Sequence, residues 1–392
     1  MKYVILHETP AAAERLGRRR AGPATVSPSV SPKVEVDEMK PQRAASLAHE
    51  KHILSVAPVM PMRLIAPVNS NGSPAPTAVG ATWGVQAVGA DTSPFTGAGI
   101  VMSILDTGID MSHPAFTGVE IIRKNFTTES DDDEHGHGTH CAGTIFGRDV
   151  DGIRIGVAPG ISKVLIGKVL GSGGGGSDQI VQAIQWAVSG GANVISMSLG
   201  IDFPGYVKEL VETHNFPQEL ATSIALEGYR TNVLLFERLA SFIVANNAFA
   251  QATLLIAAAG NESQREVNPK FEIAVSPPAV ADGIVSVAAV AKTSQGFAIA
   301  SFSNVGARVS GPGVGINSAK RGGGLTLMSG TSMATPHVAG VAALWAEKLS
   351  KTGQLNGNLL ADRLIGTAAT TDMMADFDPD DIGAGLVQAP QS

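Results

Sequence analysis

The stretch that decides the fold reads Ile100-Val-Met-Ser-Ile-Leu-Asp106-Thr-Gly-Ile-Asp110: a mostly apolar run ends abruptly in a carboxylate, with a glycine turn behind it. Its apolar residues are continuous rather than alternating, the pattern of a strand covered on both faces, as strands of parallel sheets are. Four further runs of strand length, at 162–170, 193–199, 253–259 and 284–290, repeat it. Between them, 178–189 and 332–349 carry apolar residues at helical spacing. The alternation predicts an α/β fold: a three-layer, doubly wound, mostly parallel sheet whose functional site lies outside the carboxyl ends of the strands. Asp106 stands at such an end.

The surrounding chain divides unevenly. Its 392 residues exceed a usual domain of roughly 100 to 200. Residues 1–67 read as a small α+β unit: an apolar strand at 3–6, a basic, Pro-rich stretch at 15–32, a helix-like segment from Val34 to His52 and a second apolar segment at 53–65. Residues 68–82, with Asn-Ser-Asn-Gly-Ser-Pro-Ala-Pro at 69–76, have the composition of a linker. Residues 83–392 hold the α/β pattern.

Composition narrows the function. Apolar residues make up 44% and charged residues 16%, as in a globular protein rather than a disordered one. Lys plus Arg number 28 against 35 Asp plus Glu, a net charge of -7 that gives no general footing on nucleic acid or anionic lipid. A single cysteine, Cys141, excludes an intrachain disulfide. The amino terminus is apolar for only four residues, Tyr3-Val-Ile-Leu6, before turning polar, against about 7 to 15 in a signal peptide. No run approaches the roughly 18 apolar residues of a spanning helix. The expected setting is cytoplasmic, with a signal-less export route left open.

Three further segments carry chemistry. In His135-Gly-His137-Gly-Thr-His140-Cys-Ala-Gly-Thr, glycines flank an imidazole and small residues follow, as a helix packed closely on a sheet requires. The spacing of His137 and His140 lacks the Glu of a zinc-protease helix, so no metal is assigned. Gly330-Thr-Ser332-Met-Ala-Thr-Pro-His places a hydroxyl at a helix start, where the amino end favours developing negative charge. Ala257-Ala-Ala-Gly-Asn261 sends a strand into an amide able to donate to an oxyanion.

With these four segments in order, residues of about 75–350 resemble the subtilisin-like serine peptidases, the subtilase family. The resemblance implies Ser332 as nucleophile, His137 as general base and then acid, Asp106 as the residue that orients the imidazole, and Asn261 as oxyanion donor. It further implies that Ser198-Leu199-Gly200, with Ala259 and Gly260, walls the primary specificity pocket. By the same resemblance, substrate lies as an added strand along 171–177, including Gly173, Gly174 and Gly175. Gly174, Ser177 and Ile180 suggest an open apolar pocket upstream of the cut, hence a hydrophobic preference. Cys141, as in thiol-bearing members of the family, is expected beneath His137 as a small buried hydrophobe.

Residues 1–67 resemble the family's inhibitory pro-segment, which makes the chain a self-inhibited precursor with processing expected within 60–82. No organic cofactor is implied. Calcium is doubtful: Ala115 and Phe116 follow Ser112-His-Pro where many relatives supply an Asp, and the companion loop 147–154 carries Arg148 and Val150, although Asp149 and Asp151 keep a variant possible. The acidic run Asp131-Asp-Asp-Glu134 reads either as a solvated loop or as a field favouring basic residues near the cut. About 30 residues after Gly200, roughly 201–230, exceed the compact relatives and read as a lid or as helices packed outside. General turnover, dedicated maturation of one peptide, and a latent, non-catalytic peptide-binding scaffold remain open as functions.

Overall fold

A computed structural model describes residues 1–8, 33–68, 79–247, 252–375 and 377–392. The basic stretch at 15–32 and most of the expected linker lie outside the described residues.

The five apolar runs form the heart of an eight-stranded sheet. In spatial order it runs Gly296–Ile299, Ile284–Thr293, Leu254–Ala258, Val194–Met197, Val101–Asp106, Lys163–Lys168 and Glu120–Asn125, with Val309–Pro312 also pairing Ile284–Thr293. Every pairing is parallel except that of Gly296–Ile299. Alternate side chains of each strand enter two separate cores. Met102, Ile104, Val164 and Ile166 face one cluster with the helices His137–Phe146 and Thr331–Lys351. Leu105, Leu165, Ile195 and Met197 face the other, with Ser177–Ser189 and Gln218–Asn247. Burial on both faces is why these runs are apolar throughout.

The chain winds outward from Val101–Asp106 in both directions, first toward Lys163–Lys168 and then back to Val194–Met197 on its other side. The crevice at such a reversal is where open α/β sheets place their sites. Asp106 and Ser198 flank it.

The amino-terminal unit departs from its sequence reading. Lys33–Glu38 is a strand, not the start of a helix, and Lys2–His7 lies between it and Ile53–Pro58, antiparallel to both. The cause is legible: Val34 and Val36 alternate with Glu35 and Asp37, a period of two. The helix is confined to Pro41–Leu47, with Pro41 at its first turn. The segment at 53–65 splits, and its second half, Pro61–Leu64, leaves the unit altogether to pair with Gly175–Gly176 and Leu199–Ile201.

The extra residues after Gly200 form helix Phe203–Glu212 and the first half of Gln218–Asn247. They build a lateral wall instead of a lid. Asn232 donates to the Pro58 carbonyl at 2.8 Å, and Leu235 and Phe236 share a core with Val4, Leu6 and Ala57. A cavity of about 760 Å³ remains between the long helix and the small unit. Among the described residues no helix is long and apolar enough to cross a membrane.

Candidate active site

Asp106 closes its strand, and His137 opens helix His137–Phe146 directly above it. Gly138 permits that approach, because a Cβ there would stand 2.1 Å from the Gly108 carbonyl oxygen. The imidazole Nδ1 lies 2.8 Å from Asp106 Oδ1, and both side chains are buried. Burial is the largest single influence and disfavours the imidazolium, but the charge and hydrogen bond of Asp106, with Cys141 beside it, together outweigh it and hold the His137 pKa well above its ordinary value. Nδ1 is thereby the protonated nitrogen of the neutral ring, which leaves Nε2 as the basic one. Nε2 has no hydrogen-bond partner among the described residues.

Ser332 is the second residue of helix Thr331–Lys351, so its backbone N–H has no intrahelical acceptor. Four residues on, Pro336 has no N–H to give to the Ser332 carbonyl. That carbonyl is instead met by Ser198 Oγ at 3.2 Å and Cys141 Sγ at 3.4 Å. Cys141 is buried 3.7 Å from His137 Nδ1, beneath the imidazole as expected, and burial pushes its thiol pKa up. It is a packing group with no thiolate character at neutral pH.

Asn261 follows the strand Leu254–Ala258 by three residues. Its Oδ1 accepts from the Thr331 N–H at 2.8 Å and from Thr331 Oγ1 at 2.9 Å. This fixes the amide with Nδ2 toward the cleft, where it donates to the Ala66 carbonyl at 3.0 Å. Thr331 was not singled out in the sequence, although its place beside Ser332 was visible there.

The cleft is filled by the chain itself. Arg63 pairs with Gly200 and Leu64 with Leu199 on one side, and Met62 pairs with Gly175 on the other. At Gly174, whose φ is +86°, a Cβ would meet the Met62 carbonyl at 2.5 Å. Ser177 exchanges hydrogen bonds with the Met60 backbone, and Met60 and Met62 are buried in the cluster that contains Ile180, so the expected apolar pocket is occupied. Beyond it, Ser332 Oγ donates to the Ile65 carbonyl at 2.9 Å, and Val68 N–H donates to the Ser329 carbonyl at 2.8 Å. Gly173 is outside the strand ladder and lines a neighbouring cavity of about 610 Å³ with Thr107, His135 and Lys168. Ala259 and Gly260 sit behind the cleft, where Gly260 N–H donates to Thr331 Oγ1 at 3.2 Å.

Within the acidic run Asp131, Asp132 and Glu134 are exposed, as a solvated loop requires, and Asp133 is not. Asp133 is buried and accepts from Thr107 Oγ1, Gly136 N–H and both the N–H and Oγ1 of Thr139, bonds that hold its carboxyl below its ordinary pKa despite desolvation. Asp132 pairs with Arg123 at 2.9 Å. Sequence reasoning missed Asp133 as the brace beneath the His137 turn, because nothing local separates it from its solvated neighbours.

His140 does not join His137. Its Nε2 faces the Ile316 and Thr326 carbonyls, and burial lowers its pKa to about 3. Among the described residues Asp106, His137 and Cys141 are the one group of three potential metal ligands close together. In the loop at 147–154, the Arg148 guanidinium sits on the Phe146, Pro159 and Ile161 carbonyls.

The chain matches the family model described as "Subtilase family" over residues 97–385. It is 34% identical over 281 residues to "Subtilisin DY" of Bacillus licheniformis, covering 70% of this chain and 85% of that protein. With "M-protease" of Shouchella clausii it shares 31% over 312 residues, covering 74% and 69% respectively. With "Thermostable alkaline protease" of Halalkalibacterium halodurans it shares 34% over 316 residues, covering 78% and 72%. The chain belongs to the subtilase family and is a subtilisin-like serine endopeptidase.

Proposed function

We propose that this enzyme is made as a self-inhibited precursor, in which residues 1–67 are the pro-segment, 68–82 the linker and 83–392 the peptidase. Its catalytic set is Asp106, His137, Ser332 and Asn261. The observation that carries the reading is the strand Pro61–Leu64, threaded between Gly175–Gly176 and Leu199–Ile201, which delivers the Ile65 carbonyl to Ser332 Oγ.

Catalysis follows from the groups in place. When Ser332 Oγ turns from the Ile65 oxygen to His137 Nε2, the imidazole takes its proton as the oxygen attacks the carbonyl carbon. Asp106 stabilises the imidazolium through the 2.8 Å contact. The negative charge that develops on the carbonyl oxygen is met by the Ser332 N–H and by the Asn261 amide, which turns to it from the Ala66 oxygen. His137 returns the proton to the departing amine, and water releases the acyl group by the same steps. In the precursor, Val68 on Ser329 also holds the leaving side, so a cut at Ile65–Ala66 keeps both new ends in place. No organic cofactor takes part, and no calcium is assigned to the loop at 147–154.

The test compares the full chain with its Ser332→Ala variant by intact mass and by labelling with a fluorophosphonate, which reacts with an activated serine. Wild type should lose its first 60 to 82 residues and take the label; the variant should do neither. Labelling without shortening removes the cleaved pro-segment from the reading. A folded wild type that neither labels nor shortens favours a latent, peptide-binding scaffold.

A further inference from the structure

The side chain of Arg63 has a setting that the catalytic reading leaves unused. Met62 is buried in the core beside Ile180, and by strand alternation Arg63 projects to the opposite side. There its Nη1 lies 3.0 Å from Asp202 Oδ1, and its Nη2 donates to Glu262 Oε1 at 2.9 Å. Both carboxylates belong to the peptidase part and are positioned without Arg63. Asp202 caps helix Phe203–Glu212 by accepting from the Gly205 N–H at 3.1 Å. Glu262 gives its other oxygen to Asn304 Nδ2 at 2.8 Å. No other cation among the described residues pairs with either carboxylate.

Removing residues 61–65 leaves two preorganised negative charges facing one point of the cleft. Such a pair selects a cation arriving there, and a guanidinium best, because its planar fork reaches both carboxylates at once. Taking Ser332 as the nucleophile and 61–65 as lying in the path of substrates, as proposed above, we infer that Asp202 and Glu262 form a specificity clamp for a basic residue. The residue selected is the third on the acyl side of the cut bond, Arg before Lys. Asp202 lies in the extra residues after Gly200, which gives that addition a role in substrate choice.

Full-chain protein is left to mature until withdrawn aliquots show a constant extent of fluorophosphonate labelling, and the unlabelled remainder is then given matched peptides with Arg, Ala or Glu at that position. The ratio of kcat/KM for Arg over Ala should be about threefold to tenfold, for two half-exposed ion pairs, with Glu below Ala. In 1 M salt, where the Debye length is about 3 Å, the ratio should shrink toward one. The double variant Asp202→Asn, Glu262→Gln keeps the cap and the Asn304 contact and should level it. A ratio near one for wild type at low salt overturns the clamp and leaves Ser332 standing, since the carboxylates then serve only the enzyme's own segment. Folded protein that neither labels nor cuts any peptide overturns the Ser332 reading, and the clamp with it.

Discussion

Asn261 is held by Thr331 through both acceptor contacts of its Oδ1, so its donor nitrogen points into the cleft before any substrate arrives. Preorganisation of that kind costs nothing at the moment of reaction. Asn261→Ala should lower kcat by about 10²- to 10³-fold with KM little changed, the loss known for such a donor in subtilisin. Steady-state kinetics on a small peptide would check it, and an unchanged kcat would remove Asn261 from the oxyanion site. His137 sets the pH dependence. Its pKa is raised above the ordinary value of 6.5, and only the neutral imidazole accepts the Ser332 proton. Activity should therefore be low near pH 6 and rise as pH passes through the raised value, giving an ascending limb in kcat/KM. A profile already flat at pH 6 would contradict a raised His137 pKa in the working enzyme. These four residues were legible in the sequence because each stands in its own local segment, at a strand end or a helix start. Asp133 was not, because its partners Thr107 and Thr139 meet it only when the turn closes.

At the scale of elements, the long helix Gln218–Asn247 joins two tasks. Phe236 is fully buried on it, and Phe236→Ala should cost about 3–5 kcal/mol of stability, read from denaturant unfolding. Asn232 contributes differently: it is buried, and its bond to the Pro58 carbonyl crosses to the amino-terminal unit. A hydrogen bond of this kind is worth about 1 kcal/mol, so Asn232→Ala should speed fluorophosphonate labelling of the full chain about fivefold. An unchanged rate would show that the helix does not hold the segment. The helical character of this region was visible in its three- and four-residue apolar spacing. Its partner was not, because a hydrophobic face announces only that something covers it. The strand Lys33–Glu38 shows the opposite: its alternating valines carried the answer, and reading them into the following helix obscured it.

The whole molecule rests on two cores separated by one sheet, and the buried histidines tie its stability to pH. Burial lowers His140 to about 3 and His337 to about 4. In the unfolded chain both titrate near 6.5, so below that value the unfolded state binds protons that the folded state refuses. The stability tied to these two imidazoles is complete above about pH 6.5 and should fall as pH drops toward 4, whereas the raised pKa of His137 acts with the opposite sign, its contribution being present below pH 6.5 and lost as pH rises through the raised value. Thermal midpoints measured between pH 7 and pH 4 would test this, and a constant midpoint would show that these imidazoles are protonated in the fold. The second core also contains Val4, Leu6, Met60 and Met62, so the amino-terminal unit contributes to the same apolar cluster as the helices it covers.

The sequence by itself determined the α/β class, the positions of the central strands, the family and the four residues that carry the proposed chemistry. Each rests on information within a few neighbouring residues: apolar continuity, a glycine beside a histidine, a serine at a helix start. Only the tertiary structure decided that Pro61–Leu64 leaves its own unit to complete a sheet in the cleft, that the extra helices form a wall rather than a lid, and that Arg63 faces Asp202 and Glu262. Those are meetings between residues far apart in the chain. Electrostatic and packing complementarity acts through space, and a linear pattern shows the charges and the apolar faces without showing which of them close on one another.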